Sequence, residues 1–167
     1  ALPEPPLHAA LVQLQAAEFL YETCLFPALV YTFKHALTQQ VAYQSLLTST
    51  RQQVHQQVAQ VFESRFAETA TTQPELLAHH YTEAGCPEPA VAYWQKAGQR
   101  AVERSAHQEA INHLSRGLEV LKTLPDTPAH RQQELDVQLA LGPAFVVTRG
   151  PSSPAVEQVY ARAQELC

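Results

Sequence analysis

The sequence predicts a mainly α-helical protein, an array of helical hairpins with one short β-hairpin near the N-terminus. Three features of the sequence indicate this fold. Apolar residues recur at the three- and four-residue spacing of amphipathic helices along most of the chain. Small and large side chains alternate in a ladder that occurs twice between residues 75 and 122. Residues 19–33 differ, because they are rich in the aromatic and branched residues typical of paired strands.

The ladder is the clearest pattern in the sequence. Its first copy consists of Ala78, Tyr81, Ala90, Trp94 and Ala97, and its second copy of Gly98, Ala101, Ala110, Leu114 and Gly117. In both copies the later residues lie 3, 12, 16 and 19 positions after the first, which are the offsets of a tetratricopeptide helix hairpin. Ala or Gly lets two helices approach closely, and a large side chain fills the gap beside it. These ten residues are therefore predicted to be packing residues of a tetratricopeptide-like array; the alternative is a generic bundle of amphipathic helices.

The two copies of the ladder share one helix in this prediction. They begin 20 residues apart, whereas tetratricopeptide units recur about every 34 residues. Between Pro89 and Ser105 no turn signal interrupts the sequence, so one long helix is expected to belong to both hairpins. Residues 85–87 (GCP) predict the turn before this helix, and Ser105 with Gln108 predicts the N-cap of the next one.

A third, looser hairpin is predicted at the C-terminal end. Residues 124–128 (LPDTP) break the pattern, with Thr127 as N-cap and Pro128 as the first helical residue. Two helices are expected to follow, at about 129–147 and 153–166. The last one carries the apolar residues Val156, Val159, Tyr160 and Ala163. This face is expected either to fold back on the third hairpin or to pair with a second molecule, and a two-fold homodimer through the C-terminal helix is predicted.

The N-terminal third has a different organisation. A helix is predicted over residues 7–18, a β-hairpin over 19–33 with its turn at Phe26-Pro27-Ala28, and two more helices before residue 66. Residues 67–73 are rich in Thr and Ala and predict a linker. Three parts follow from this: residues 1–66, the linker 67–73, and the helical repeats 74–167.

Composition excludes several classes of protein. The 167 residues carry 11 Lys and Arg against 16 Asp and Glu, a net charge of −5 that does not suit a phosphate backbone. No signal peptide or membrane span is recognisable, which predicts a cytoplasmic location. The widely spaced Cys24, Cys86 and Cys167 match neither a disulfide framework nor a zinc site. Because the sequence contains no Met, it is expected to be a piece of a longer polypeptide.

Several segments resemble a known family. They are residues 31–37 (YTFKHAL), 41–43 (VAY), 46–47 (LL), Arg51, His55, 76–81 (LLAHHY), 90–94 (AVAYW), 97–98 (AG) and 109–110 (EA). Together they resemble the end of the winged-helix region and the helical repeats of STAND-type signalling ATPases, especially multidomain bacterial proteins with a class III adenylate or guanylate cyclase domain. The resemblance implies that residues 1–66 are part of a winged helix, and that the repeats act as a sensor arm or docking surface.

No catalytic role is predicted for this chain itself. It has no GxxxxGK[ST] phosphate loop and no strand ending in an Asp for magnesium, so no cofactor or metal is expected. The resemblance implies a protein-interaction and regulatory module of a multidomain signal-transduction ATPase, whose partner is a protein segment or another domain of the parent. The alternative is an ATP-dependent transcription regulator that contacts DNA through the winged helix. Its weakness is that residues 1–66 contain only three cations, Lys34, Arg51 and Arg65.

Two groups of side chains suggest ligand binding but have simpler explanations. His79 and Glu83 lie one helical turn apart beside His80, but a third ligand and the HExxH motif are both absent, so packing is the favoured interpretation. Tyr81, Tyr93 and Trp94 suggest an aromatic cage, although the helix packing already explains their spacing.

The candidate partner-binding residues are Lys96, Arg100 and Arg104. They are four residues apart, which predicts a cationic line along the edge of the long helix. Such a line suits the rim of a groove for an acidic segment, and the alternative is an ordinary solvated face.

Overall fold

The structure is a computed structural model that describes residues 4–24 and 30–167. Within them it contains nine helices: α1 (Glu4–Ala16), α2 (Ala36–Ser45), α3 (Thr48–Arg65), α4 (Ala67–Thr72), α5 (Pro74–Glu83), α6 (Pro87–Glu103), α7 (His107–Leu121), α8 (Pro128–Arg149) and α9 (Pro154–Leu166). The strands are β1 (Leu20–Cys24) and β2 (Val30–Phe33). The prediction of a mainly helical protein with a short β-hairpin near the N-terminus is confirmed.

The chain divides into two compact units, residues 1–50 and 51–167. In the first unit β1 and β2 pair antiparallel, with Leu20 opposite Phe33 and a register shift between Glu22 and Cys24. The predicted turn at residues 26–28 lies outside the described residues. Leu20 is the one buried apolar side chain in the described part of this unit, whereas Leu37 and Leu47 are 70% and 74% exposed. The first unit therefore has little apolar core of its own.

The second unit is a succession of helices in which each helix from α5 onward packs against the next. Helix α6 also contacts α8, the helix after its direct neighbour. The segment predicted as a linker, residues 67–73, contains the short helix α4. The hydroxyl groups of Thr71 and Thr72 each donate a hydrogen bond of 2.9 Å to the carbonyl four residues earlier, which satisfies them within the helix. Assignment of residues 1–66, 67–73 and 74–167 as separate domains stays a prediction.

Two turns of the same kind bound α6. Gly85 and Ser105 both have a positive φ, of 69° and 59°. In each turn the next N–H donates to the carbonyl five residues earlier, from Cys86 to Tyr81 at 3.0 Å and from Ala106 to Ala101 at 2.8 Å. This is the bond pattern of a Schellman motif, and it recurs after 20 residues like the ladder.

One predicted cap is wrong and another is confirmed. Ser105 does not cap α7, because it takes the left-handed conformation that closes α6; the N-cap is Ala106, without a side-chain bond. Thr127 does cap α8, since its hydroxyl accepts a hydrogen bond of 3.2 Å from the N–H of His130. Pro128 is the first residue of that helix, as predicted.

The ladder residues lie in the interior of the second unit. All ten of them are buried: Ala78, Tyr81, Ala90, Trp94, Ala97, Gly98, Ala101, Ala110, Leu114 and Gly117. Small and large residues face each other closely, because a Cβ placed on Gly98 would lie 2.4 Å from the Leu114 side chain. At Gly142 on α8 the same test meets the Tyr160 ring of α9 at 2.6 Å. Helix pairs α6 with α7 and α8 with α9 thus approach through a glycine under a large side chain.

The apolar residues of the last helix pack inside the second unit, which is the first of the two outcomes expected for them. Val156, Val159 and Ala163 are 5–7% exposed, and both valines belong to the core that α9 forms with α7 and α8. Tyr160 is 41% exposed, but its ring covers Gly142. The helix folds back because its apolar stripe completes this core, and a homodimer through the C-terminal helix stays a prediction.

Replacing Gly98 tests the close approach of α6 and α7. In an open helix Gly→Ala stabilises by about 1 kcal/mol, but here the added Cβ overlaps Leu114, which is 1% exposed. We expect Gly98→Ala to lower the free energy of unfolding by about 1–2 kcal/mol net, measured by urea denaturation. In a Leu114→Ala background the same change should become stabilising. If Gly98→Ala changed the free energy of unfolding equally with Leu114 and with Ala at position 114, the proposed overlap with Leu114 would be contradicted.

Candidate partner-binding groove

The structure splits the predicted cationic line on α6. Arg104 points to α7, where its Nη2 pairs with Oε2 of Glu109 at 3.3 Å, and both side chains are more than half exposed. Arg100 is half-buried, and its Nη1 donates a hydrogen bond of 3.2 Å to the carbonyl of Thr71 on α4. The Nζ of Lys96 lies 4.7 Å above the centre of the Tyr93 ring. Lys96 and Arg100 therefore lie together beside α4, and Arg104 does not join them.

Lys96 and Arg100 line a cavity of about 360 Å³ between α4, the start of α5, and α6. Its wall consists of Ala70, Thr71, Pro74, Tyr93, Lys96, Gln99, Arg100 and Glu103. None of the ion pairs among the described residues includes Lys96 or Arg100. The Nε of Arg100 is shielded from solvent without a hydrogen-bond partner in the described structure. This cavity offers two cations without carboxylate partners.

A second cavity, of about 350 Å³, lies between α6, the start of α7, and α8. Its wall consists of Gln99, Val102, Glu103, His107, Ala140, Pro143, Ala144 and Val147. Val102 and Val147 are 39% and 63% exposed, so apolar surface is open to solvent at this place. This half of the site is mainly aliphatic.

The two cavities share Gln99 and Glu103, which lie one helical turn apart on α6. Gln99 and Glu103 therefore stand between two adjoining cavities, which we name together the α6 groove. It has a cationic half beside α4 and an apolar half beside α8. Sequence reasoning found the cations but missed the apolar half. The available signal was the helical spacing of Ala140, Ala144 and Val147, which places them on one face of α8.

The three aromatic residues that suggested a cage, Tyr81, Tyr93 and Trp94, each donate a hydrogen bond to a side chain on another helix. Glu63 on α3 accepts hydrogen bonds from the hydroxyls of Tyr81 and Tyr93, one at each carboxylate oxygen, and both distances are 2.7 Å. The two phenol rings stack with their centres 5.8 Å apart. Burial, followed by the Glu63 carboxylate, raises the pKa of Tyr93 to about 12. Trp94 instead donates from its indole nitrogen to the hydroxyl of Thr82 at 3.0 Å.

Removing Glu63 should loosen α3 from α5 and α6. Glu63→Ala leaves two phenol hydroxyls without their charged acceptor, and we expect a loss of about 1.5–3 kcal/mol in the free energy of unfolding. The matched comparison is the same substitution in a Tyr81→Phe, Tyr93→Phe background, where no hydroxyl depends on it. If Glu63→Ala costs as much there, the two hydrogen bonds are not the cause.

The histidines weighed as metal ligands pack against each other across α3 and α5. Nδ1 of His55 lies 2.8 Å from Nδ1 of His80, and the His79 ring stands nearly perpendicular to that of His55 at 5.9 Å. In the part of the chain that the structure describes, no group of three or more ligands is arranged to hold a metal ion. Burial lowers the pKa of both His55 and His80 below the ordinary value of 6.5.

These pKa shifts predict a loss of stability on acidification. Above pH 6.5 both states are neutral at these rings, and as the pH falls below 6.5 the unfolded chain binds protons first. The free energy of unfolding should therefore decrease from pH 6.5 downward until the lowered pKa values are passed. We expect His55→Gln with His80→Gln to flatten this dependence in urea titrations.

The exposed His8 on α1 provides a control for the His→Gln substitution itself. Burial lowers the pKa of His113 as well, so a smaller slope remains in the double variant. An unaltered slope in that variant would show that the His55 and His80 pair does not govern the acid sensitivity.

Comparison with known proteins identifies a similar sequence but no family. The chain is 29% identical over 136 residues to "Uncharacterized protein R02095" of Rhizobium meliloti (strain 1021). The match covers 81% of this chain and spans only 13% of the relative's length. No family model matches the sequence, and no solved structure matches it either. The fold and the groove thus define a mainly helical protein in which a cationic cavity and an apolar cavity adjoin on α6.

Proposed function

We propose that this chain is a non-catalytic helical-repeat module for protein interaction and regulation. It belongs in this proposal to a multidomain signal-transduction ATPase of the kind that also carries a cyclase domain. The observation that carries the proposal is the α6 groove, in which a cavity with two cations that lack carboxylate partners adjoins a cavity with an apolar wall. Such a combination suits recognition of a polypeptide segment better than chemistry on a small substrate. The partner is a protein segment or another domain of the parent, in the cytoplasm.

A tetratricopeptide-like arrangement of the helices is part of the proposal. Two observations support it. Gly98 and Gly142 play the same packing part in two successive helix pairs, each beneath a large side chain of the following helix. Helix α6 also contacts α8, as stacked repeats require when equivalent helices lie side by side.

The assignment to a signalling ATPase rests on the resemblance of the sequence. Two further observations agree with a multidomain parent. The relative is several times longer than the matched segment, which is 13% of its length. In the first unit, large apolar side chains such as Leu37, Val41 and Leu47 are 58–74% exposed, as expected of a segment that packs on further polypeptide.

Contact with DNA through a winged helix has less support. Lys34, the cation that directly follows β2, pairs with Glu18 at 2.8 Å and is not free for a phosphate. The described part of this chain also contains no helix long and apolar enough to cross a membrane.

The proposal is tested by ATP hydrolysis in the polypeptide as it is naturally encoded. The purified 167-residue chain should show no turnover of ATP. In the longer natural protein, deletion of residues 74–167 should change the rate of hydrolysis severalfold, because a regulatory arm biases the nucleotide switch. Turnover by the purified chain that survives removal of contaminants, or an unchanged rate after the deletion, would overturn the proposal.

Fluorescence anisotropy with a labelled DNA duplex is the control for the alternative. The chain should not bind the duplex even at low ionic strength, where binding to phosphates would be strongest. Binding that weakens with salt and is lost on Lys34→Gln would favour the transcription regulator instead.

A further inference from the structure

We propose that the α6 groove binds an extended segment of a partner protein that carries one acidic side chain and, three to four residues away, one large apolar side chain. This inference rests on the proposed interaction function and specifies the chemistry of the partner. It is carried by the way in which the two halves of the groove join on α6.

The cationic half determines the charge of the partner. Lys96 is exposed, and Arg100 uses one terminal nitrogen on the Thr71 carbonyl. Neither of them forms an ion pair in the described structure. A carboxylate between them would gain charge-assisted hydrogen bonds, and it would lie beside the Tyr93 ring, whose hydroxyl donates to Glu63.

The apolar half determines the second feature. Val102 from α6 and Val147 from α8 expose aliphatic surface around a cavity of about 350 Å³. Pro143 and Ala144 of α8 complete the wall. Leu, Phe or Trp would transfer most of its side chain from water into this space, which favours binding.

The shared residues set the spacing and limit the charge. With its side chains α6 is about 10 Å wide, and an extended chain advances about 3.3 Å per residue. Three to four residues therefore separate the two recognised side chains. Glu103 lies at the junction of both halves, so it repels a carboxylate in the middle of the segment. The groove thus selects a single acidic side chain at one end, and not an acidic run.

The first test uses fluorescein-labelled nine-residue peptide pools and anisotropy with the 167-residue chain. One pool contains Glu and, three or four residues away, Leu, Phe or Trp, in both orders, with Gly, Ser, Ala and Gln elsewhere. The matched pools replace Glu by Gln, or the apolar residue by Ser. We expect the first pool to bind at least tenfold more tightly than either matched pool. Equal affinity of the three pools, or no binding, would overturn the inference.

The second test uses variants of the groove. Lys96→Gln and Arg100→Gln should each weaken binding of the first pool about tenfold and reduce its salt dependence. Val147→Ser should weaken binding with no change in salt dependence. Arg104→Gln is the matched control, because it removes the same charge directly after α6, at a residue that pairs with Glu109 outside the groove.

Arg104→Gln is expected to leave the affinity unchanged. A loss equal to that of Arg100→Gln would show attraction by net charge alone and overturn the inference. Lys96 is exposed, so its variant keeps the test valid even if Arg100→Gln fails to fold.

Light scattering of the chain alone separates a partner segment from a second copy. A monomer mass agrees with the inference. A dimer mass that returns to monomer in Val147→Ser would show that another molecule of this chain fills the groove, which overturns it. The ATP hydrolysis of the natural protein is independent of these readouts, so regulation without peptide binding would remove this inference and leave the proposed function in place.

Discussion

The close approach of α6 to α7 at Gly98 is the contact on which the second unit depends. A side chain at this position would overlap Leu114, and both residues are buried. The distance between two packed helices is set by the smallest residues at their crossing, because larger ones hold the backbones apart. With α6 held against α7 in this way, its other faces contact α5 and α8 and line the groove.

The groove is a consequence of the central place of α6. This helix buries Ala90, Trp94, Ala97, Gly98 and Ala101 on one face, so the exposed face carries Lys96, Gln99 and Glu103. Helix α4 borders that exposed face at one end, and α8 borders it at the other. The cavity beside α4 is polar and cationic, and the cavity beside α8 is mainly aliphatic.

A single carboxylate accepts two of the hydrogen bonds that join α3 to this assembly. Glu63 accepts from one tyrosine on α5 and from another on α6, and the second of these tyrosines also supports Lys96 in the groove. A partly buried carboxylate with two phenol donors is well satisfied, and each of those donors would lose its partner if the carboxylate were removed. The same residue therefore contributes to the docking of α3 and positions a tyrosine that lines the cationic half of the groove.

The sequence by itself determined the helices from α5 onward and the residues at their crossings, because helical periodicity and the spacing of small residues are local properties of the chain. It determined the position of α6 and the burial of Trp94 for the same reason. Only the tertiary structure decided that Arg104 pairs with Glu109 and that Ser105 ends α6 in the left-handed conformation. It also decided that the apolar stripe of α9 packs against α7 and α8. The apolar half of the groove was also decided there, since residues of α6 and α8 separated by about 40 positions form it together. Residues four positions apart lie on the same face of a helix, and the sequence shows this directly. Which residues their side chains contact depends on the neighbouring helices, and the spacing along one helix contains no information about those neighbours.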